Sequence, residues 1–266
     1  MKKYLLLFLW FWSSVCFSQS VEMSEEELER ALDSVLIEGN LLYQYERAAW
    51  VSTDLARENE KLRKNFGGYF VYQDQEMMKA IILDAHSDGV MGEFSFLQDF
   101  DKPEAVVYDS RKLSEKEINL MNTRDRIFEN IVEGEFEILI PDGVVPNFVL
   151  LPFENRFKFY IIMGTAEDHV IPFGNDFLFI TDSNGKIQEW QQFHSRLVPA
   201  FTEYEGNKVE SLTHSHLRTT PLMTATDICT FKLYAPIYGI DEFSVYSPAI
   251  GKYMKYSLKA NKITLE

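Results

Sequence analysis

Cysteine is scarce in this chain, and its scarcity excludes both disulfide bonds and cysteine-based metal sites. Cys16 and Cys229 are the only two cysteines among 266 residues. Cys16 lies in an apolar N-terminal stretch that we expect to be removed, which leaves Cys229 without an intramolecular partner. The flanking Ile228 and Phe231 are typical of a buried small hydrophobe rather than of a reactive thiol.

Positive charge is scarce as well. Lys and Arg together number 26 against 41 Asp and Glu, which gives a formal net charge of -15 at pH 7. A surface of this sign repels phosphate backbones and anionic lipid headgroups. The composition therefore argues against nucleic-acid binding and favours neutral or cationic partners.

No hydrophobic run reaches the roughly 20 residues that a membrane-spanning helix needs. The longest covers residues 4–17, follows Lys2 and Lys3, and ends in small residues. This pattern indicates a secretory signal peptide over residues 1–18, with cleavage after Ser18. It resembles the start of exported proteins of the Bacteroidota, although a retained N-terminal anchor is the alternative. We expect an exported, periplasmic or extracellular protein with no membrane-spanning segment after cleavage.

Two common catalytic signatures are also missing. The chain has no Gly-rich strand-to-helix loop for a nucleotide and no Gly-x-Ser-x-Gly elbow. Hydrophobic residues make up 46% of the chain, however, and this is enough to build a sizeable core.

The residues after the signal peptide predict helices followed by a small antiparallel meander. Ser24 and Glu27 form a capping-box pattern, and helical spacing continues to about residue 64 with an interruption at 38–40. Short apolar runs with turn residues between them then predict three strands between residues 69 and 97. We assign residues 19–112 to this helical segment and meander.

A second capping-box pattern, Ser114 with Glu117, opens an amphipathic helix, and the chain then becomes rich in strands, beginning with residues 136–140. Further strands are predicted over 157–163 and 210–216, and a helix over 224–234. The fold class is therefore α+β, with a mixed sheet and helices in residues 113–266.

A candidate metal site lies at the end of this region. His214 and His216 are two apart on a predicted strand, so both imidazoles point to one face of the sheet. Asp227 follows eleven residues later, near the start of the next helix. Two histidines and a carboxylate, with one position open for water, form a common catalytic zinc arrangement.

The spacing resembles that of the JAB/MPN (JAMM) metalloproteases, which carry His-x-His, seven residues, Ser, two residues and Asp. Here the corresponding residues are His214, His216, Thr224 and Asp227, with Thr in place of Ser. The resemblance covers about residues 114–258 and implies a mixed α/β fold. It also implies a zinc-dependent peptidase or isopeptidase acting on a peptide or protein, with Thr224 donating its hydroxyl to the oxyanion.

The chain departs from that family at the general base. The family has a catalytic Glu shortly before an apolar strand that ends in Gly, and counting back from Gly164 reaches Phe157. Glu154 is the nearest carboxylate and is our candidate base. Leu217 also replaces the Pro that usually follows the second His. A non-enzymatic exported binding or structural module is therefore the alternative function.

The motif itself has a second interpretation. Thr224 and Asp227 match a capping box that needs no metal, and the two histidines could be ordinary sheet residues. His194 is a further candidate ligand, but we expect it to lie at the surface.

Overall fold

The computed structural model describes residues 23–134 and 136–266, so the predicted signal peptide lies outside the described residues. Within the described ranges, no helix has both the length and the apolar character needed to cross a membrane.

Capping boxes begin three of the helices, as the sequence predicts for each of them. Ser24, Ser114 and Thr224 each accept a hydrogen bond from the backbone N–H three residues on, and the acidic side chain there accepts one from the cap backbone. The helices described are α1 (Glu25–Glu58), α2 (Glu60–Lys64), α3 (Glu115–Glu133) and α4 (Ala225–Tyr238).

The strands form three larger sheets and two short pairs. The first sheet contains β1 (Gly68–Asp74), β2 (Met77–Leu83), β3 (Gly89–Phe96), β4 (Ala105–Val107) and β5 (Arg111–Lys112). The second contains β6 (Val144–Phe153), β7 (Arg156–Thr165), β9 (Phe177–Thr181) and β10 (Ile187–Gln192). The short pairs are β8 (Val170–Gly174) with β11 (Leu197–Phe201), and β12 (Glu203–Tyr204) with β13 (Asn207–Lys208).

The third sheet is mixed and contains the candidate metal motif. Its strands, in spatial order, are β14 (Ser211–Ser215), β15 (Glu242–Ser247), β16 (Lys252–Ser257) and β17 (Lys262–Leu265). β14 runs parallel to β15 and the remaining pairs are antiparallel, so α4 is the crossover between the two parallel strands. Together with the antiparallel first sheet, this confirms the predicted α+β class.

The interruption predicted at residues 38–40 is wrong, because α1 continues through them. A Cβ on Gly39 would lie only 2.6 Å from the Cβ of Ile228 on α4. The glycine therefore serves the close approach of two helices rather than a break in one of them.

The strand predicted at residues 136–140 is also wrong, because no ladder forms there. The Phe136 ring instead packs edge-on against Phe179 and Trp190, with centroids 5.2 and 5.3 Å away. The backbone carbonyl of Leu139 accepts a hydrogen bond from the Asn175 side chain. Side chains of the second sheet and of the loop before β9 therefore hold this segment in place without strand pairing.

The largest hydrophobic core includes residues from both sides of the predicted boundary between residues 112 and 113. Leu42 and Ala48 of α1 belong to it together with Phe231 of α4, and so does Phe94 of the first sheet. The division into two parts at that boundary stays a prediction.

Candidate metal centre

Four side chains converge at one buried point of the structure. His194, His214, His216 and Asp227 each present one ligand atom, and these atoms all lie within 4.8 Å of one another. The exposed fractions of the four side chains are 4, 6, 0 and 0% respectively. The group is therefore shielded from solvent.

Three separate segments supply these side chains. His214 lies on β14, and the N–H of His216 donates to the Tyr246 carbonyl, so strand pairing continues one residue beyond β14. Both imidazoles therefore face the same side of the sheet. Asp227 is the third residue of α4, and His194 lies in the loop between β10 and β11.

Four of the separations within the group are close to the edge length of a small tetrahedron. The Nε2 atoms of His214 and His216 are 3.3 Å apart, and those of His194 and His216 are 3.0 Å apart. Asp227 Oδ1 lies 3.4 Å from His214 Nε2 and 3.6 Å from His194 Nε2. Ligand atoms about 2.0–2.1 Å from a tetrahedral zinc ion are about 3.3 Å from one another.

The hydrogen bond made by His216 fixes its tautomer. Its Nδ1 lies 2.6 Å from the backbone carbonyl of Leu222, and because a carbonyl can only accept, Nδ1 carries the proton. The neutral ring then presents a lone pair at Nε2, toward the other two imidazoles and the carboxylate. A ligating histidine in proteins commonly donates its other N–H to a backbone carbonyl in this way.

The capping box at the start of α4 orients Asp227. The backbone N–H and the hydroxyl of Thr224 both donate to Oδ2 of Asp227, at 2.8 and 2.7 Å. Oδ1 is buried and has no hydrogen-bond partner among the described residues. One carboxylate can therefore serve both as part of the cap and as a metal ligand, so the two interpretations of the motif are compatible.

The ionisation states of two members suit metal binding. Burial lowers the pKa of His194 to about 4, and the neighbouring imidazoles add to this effect while Asp227 opposes it. Burial would raise the pKa of Asp227, but the three histidines outweigh it and hold that pKa well below its usual range. His194 is thus neutral, and Asp227 is ionised, at neutral pH.

Without a cation this arrangement would be unfavourable. Oδ1 of Asp227 has no hydrogen-bond partner among the described residues, and the Nε2 lone pair of His216 lies 3.1 Å from Oδ2 in the same buried space, where unpaired polar groups are costly. A positive ion at the centre would satisfy all four ligand atoms. The group could therefore bind a metal ion.

The structure places the two residues predicted to be catalytic very differently. Thr224 is the N-cap of α4 and contacts Asp227, so it supports a ligand directly. Glu154 lies in the two-residue turn between β6 and β7, where its side chain is 73% exposed and 3.8 Å from Arg156. That turn contributes nothing to the four-residue group.

The expectation that His194 lies at the surface is wrong. The residue is 3% exposed, because the preceding Phe193 anchors its loop through a hydrogen bond to the Asp176 carbonyl. His194 is 22 residues from His216 and has no fixed spacing to the motif. Phe193, the aromatic residue before it, is the one signal in the sequence for the burial of His194.

Asp176 is a second buried side chain near the group that sequence reasoning missed. Its side chain is fully buried, accepts the N–H of Met163 at 3.1 Å and receives the Thr226 hydroxyl. Burial raises the pKa of Asp176 well above its usual range, and the nearby Asp227 adds to the effect. Asp176 therefore connects β7 to the first turn of the helix that carries Asp227.

In comparisons with known proteins, no family model, no curated protein and no solved structure matches this chain. The resemblance to the JAB/MPN metalloproteases therefore rests on the motif residues alone and stays a prediction.

Proposed function

We propose that this chain is a zinc-binding, non-enzymatic module in which the metal is a structural cross-link. The observation that carries the proposal is the set of four protein ligand atoms at tetrahedral spacing. Structural zinc sites are closed by four protein ligands, whereas catalytic sites keep one position for water. Here His194 takes the position that water would occupy beside His214, His216 and Asp227.

Zinc is the metal that this donor set fits best. Imidazole nitrogen and carboxylate oxygen both bind zinc, and zinc favours four ligands in a tetrahedron. Magnesium and calcium prefer oxygen ligands and bind six or more of them. Three imidazoles in a group of four argue against either of them.

A metal at this point would connect segments that are distant in the sequence. His194 belongs to a loop, His214 to a sheet and Asp227 to a helix, so the ion would close a loop of more than 30 residues. Such an ion stabilises the folded state, because unfolding separates the ligands and releases the ion. This suits an exported chain that has no disulfide available to it.

A zinc peptidase or isopeptidase is the second candidate, and one observation favours it. Nδ1 of His194 is buried without a hydrogen-bond partner among the described residues, whereas the other ring nitrogen of His216 is anchored. An unanchored ligand in a loop could yield its position to water. Bound zinc would then lower the pKa of that water toward about 7.

Metal analysis of the purified protein tests the proposal. We expect about one zinc per chain in the wild type, and none in His216→Ala, which loses an anchored ligand. His169→Ala is a matched control, since the His169 side chain is 57% exposed and lies outside the group. Wild-type protein that carries no zinc after purification with zinc supplied would contradict both functions.

His194→Ala separates the two candidate functions. If the metal is structural, this variant binds zinc more weakly and does not hydrolyse peptides. If the site is catalytic, the variant keeps zinc and cleaves peptide or isopeptide substrates at least as well as the wild type, because the open position becomes permanent.

A further inference from the structure

We propose that a cleft outside the metal centre binds an organic anion whose carboxylate is joined to an aromatic group. The residues that line this cleft are remote in sequence from the candidate metal ligands. The cleft has a volume of about 810 Å³ and lies between the C-terminal half of α1, the start of β1, α3 and β6. None of the four candidate metal ligands lines it. Small-molecule sites in proteins commonly have volumes of 300–1,000 Å³.

Positive charge is concentrated in this cleft. Three of the ten arginines of the chain line it, namely Arg57, Arg63 and Arg124, whereas Asp54 is the one acidic residue in its lining. The chain as a whole has a formal charge of -15. A local excess of arginine on so acidic a protein points to an anionic ligand.

Arg63 is the arginine best placed to receive that ligand. One of its terminal nitrogens donates to the carbonyl of Arg57 at 3.0 Å, and within residues 23–134 and 136–266 it forms no ion pair with a carboxylate. Arg57 is paired with Asp54 at 3.1 Å, and Arg124 is paired with Asp125 at 2.8 Å. The Arg63 guanidinium therefore keeps donors available for a bidentate contact with a carboxylate.

Aromatic rings form the walls of the cleft. Phe66 and Phe148 line the cleft and remain 43 and 40% exposed. The rings that line the cleft are Trp50, Phe66, Tyr69, Phe128 and Phe148. Such walls favour a flat apolar body next to the anionic group, because aromatic pairs gain energy beyond the area they bury.

A small carboxylate fits these features better than a polyanion does. The net charge of -15 disfavours a chain of phosphates, whereas a single carboxylate could reach the arginines. Two sources share this chemistry: a free aromatic acid, and a peptide that ends in an aromatic residue with a free C-terminal carboxylate.

Titration calorimetry on the zinc-loaded full chain tests the proposal with two probes. The first is 3-phenylpropionate and the second is the tripeptide glycylglycylphenylalanine, and their carboxamides are the controls. We expect saturable binding of at least one acid and at least tenfold weaker binding of its amide. Preference for one probe identifies the source of the carboxylate. Absence of saturable binding of both acids up to about 10 mM would overturn the proposal.

Variants assign the binding to the cleft. Arg63→Gln should weaken binding about tenfold. Asp54→Asn should strengthen it, because this change releases Arg57 and removes the one negative charge of the lining. Arg156→Gln, which removes the same charge outside the cleft, is the matched control.

Thermal unfolding temperatures equal to that of the wild type would show that each variant is folded. If Arg63→Gln does not fold, Arg57→Gln takes its place with the same expectation. Equal affinities in Arg63→Gln and Arg156→Gln, or weaker binding by Asp54→Asn, would overturn the assignment.

Discussion

Two buried carboxylates, one on α4 and one on α1, have opposite electrostatic environments. Asp227, on α4 itself, is 1% exposed, and Glu46, on α1, is 2% exposed. Three imidazoles hold the pKa of Asp227 well below its usual range, despite burial that would raise it. Burial raises the pKa of Glu46 to about 8, and Oε2 of Glu46 has no hydrogen-bond partner among the described residues.

The difference shows that burial alone does not indicate what a carboxylate does. Both groups lose the same contact with water, and the partners that the fold supplies decide which form is stable. Asp227 is ionised and can therefore bind a cation. Glu46, in contrast, is protonated at neutral pH, and its buried carboxyl destabilises the interface between α1 and α4.

Removing the metal from the group that contains Asp227 should have the largest effect on stability. With zinc a thousandfold above its Kd, binding contributes about 4 kcal/mol to the free energy of unfolding, so a chelator should lower the unfolding temperature by about 10 °C. Calorimetry with and without a chelator measures this, and restoring zinc should reverse it. Equal unfolding temperatures in both conditions would leave Asp227 as a cap without a metal role.

Glu46→Gln should stabilise the protein at alkaline pH. A carboxyl whose pKa is 4.5 in the unfolded chain and about 8 in the folded one binds more protons when folded, so stability falls as pH rises through that window. Gln does not titrate. The gap in unfolding free energy between the variant and the wild type should therefore widen by about 3 kcal/mol from pH 5 to pH 8.

Denaturant unfolding at the two pH values, with zinc saturating throughout, measures this gap. Glu38→Gln is a control, because Glu38 lies on the same helix but is paired with Lys158 at 2.7 Å. A gap that stays constant between pH 5 and pH 8 would show that Glu46 has a partner that keeps it ionised.

Thr224→Val should separate capping from ligand orientation. It removes the hydroxyl that donates to Asp227, and losing such an outer contact costs about tenfold in metal affinity. Ser24→Ala is the matched control, since it deletes the corresponding capping hydroxyl of α1, where no metal ligand is involved. Each variant should lose about 1 kcal/mol of stability from its cap. The zinc affinity measured by titration should fall for Thr224→Val alone.

Much of the fold could be predicted from local patterns. The three capping boxes each begin a helix, and His214 and His216 meet because alternate residues of a strand share a face. These features depend on spacings of two to four residues, and such spacings are visible in one sequence.

The remaining features depend on contacts between segments that are distant in the sequence. His194 joins the group through a loop whose path depends on Phe193 and Asp176, and no spacing encodes that path. Gly39 indicated a helix break by its local propensity, but its role is set by Ile228 across an interface. In the sequence Glu46 resembles the many acids expected at the surface. Its burial depends on the helix that packs against it.

The labelling rate of the Cys229 thiol should show the smallest response. It tests whether burial or charge protects a side chain. Cys229 is a buried free cysteine on α4, as its apolar neighbours predicted, and burial, with Glu46 adding to it, raises the thiol pKa well above its usual range. A bulky maleimide should not label it in the zinc-loaded protein at pH 7 or at pH 9, as judged by intact mass. At pH 9, where Glu46 is ionised, Glu46→Gln removes a nearby negative charge that disfavours the thiolate, yet it should leave labelling blocked, because access rather than ionisation is limiting. Faster labelling of Glu46→Gln at pH 9, in a variant no less stable than the wild type, would show instead that charge protects the thiol.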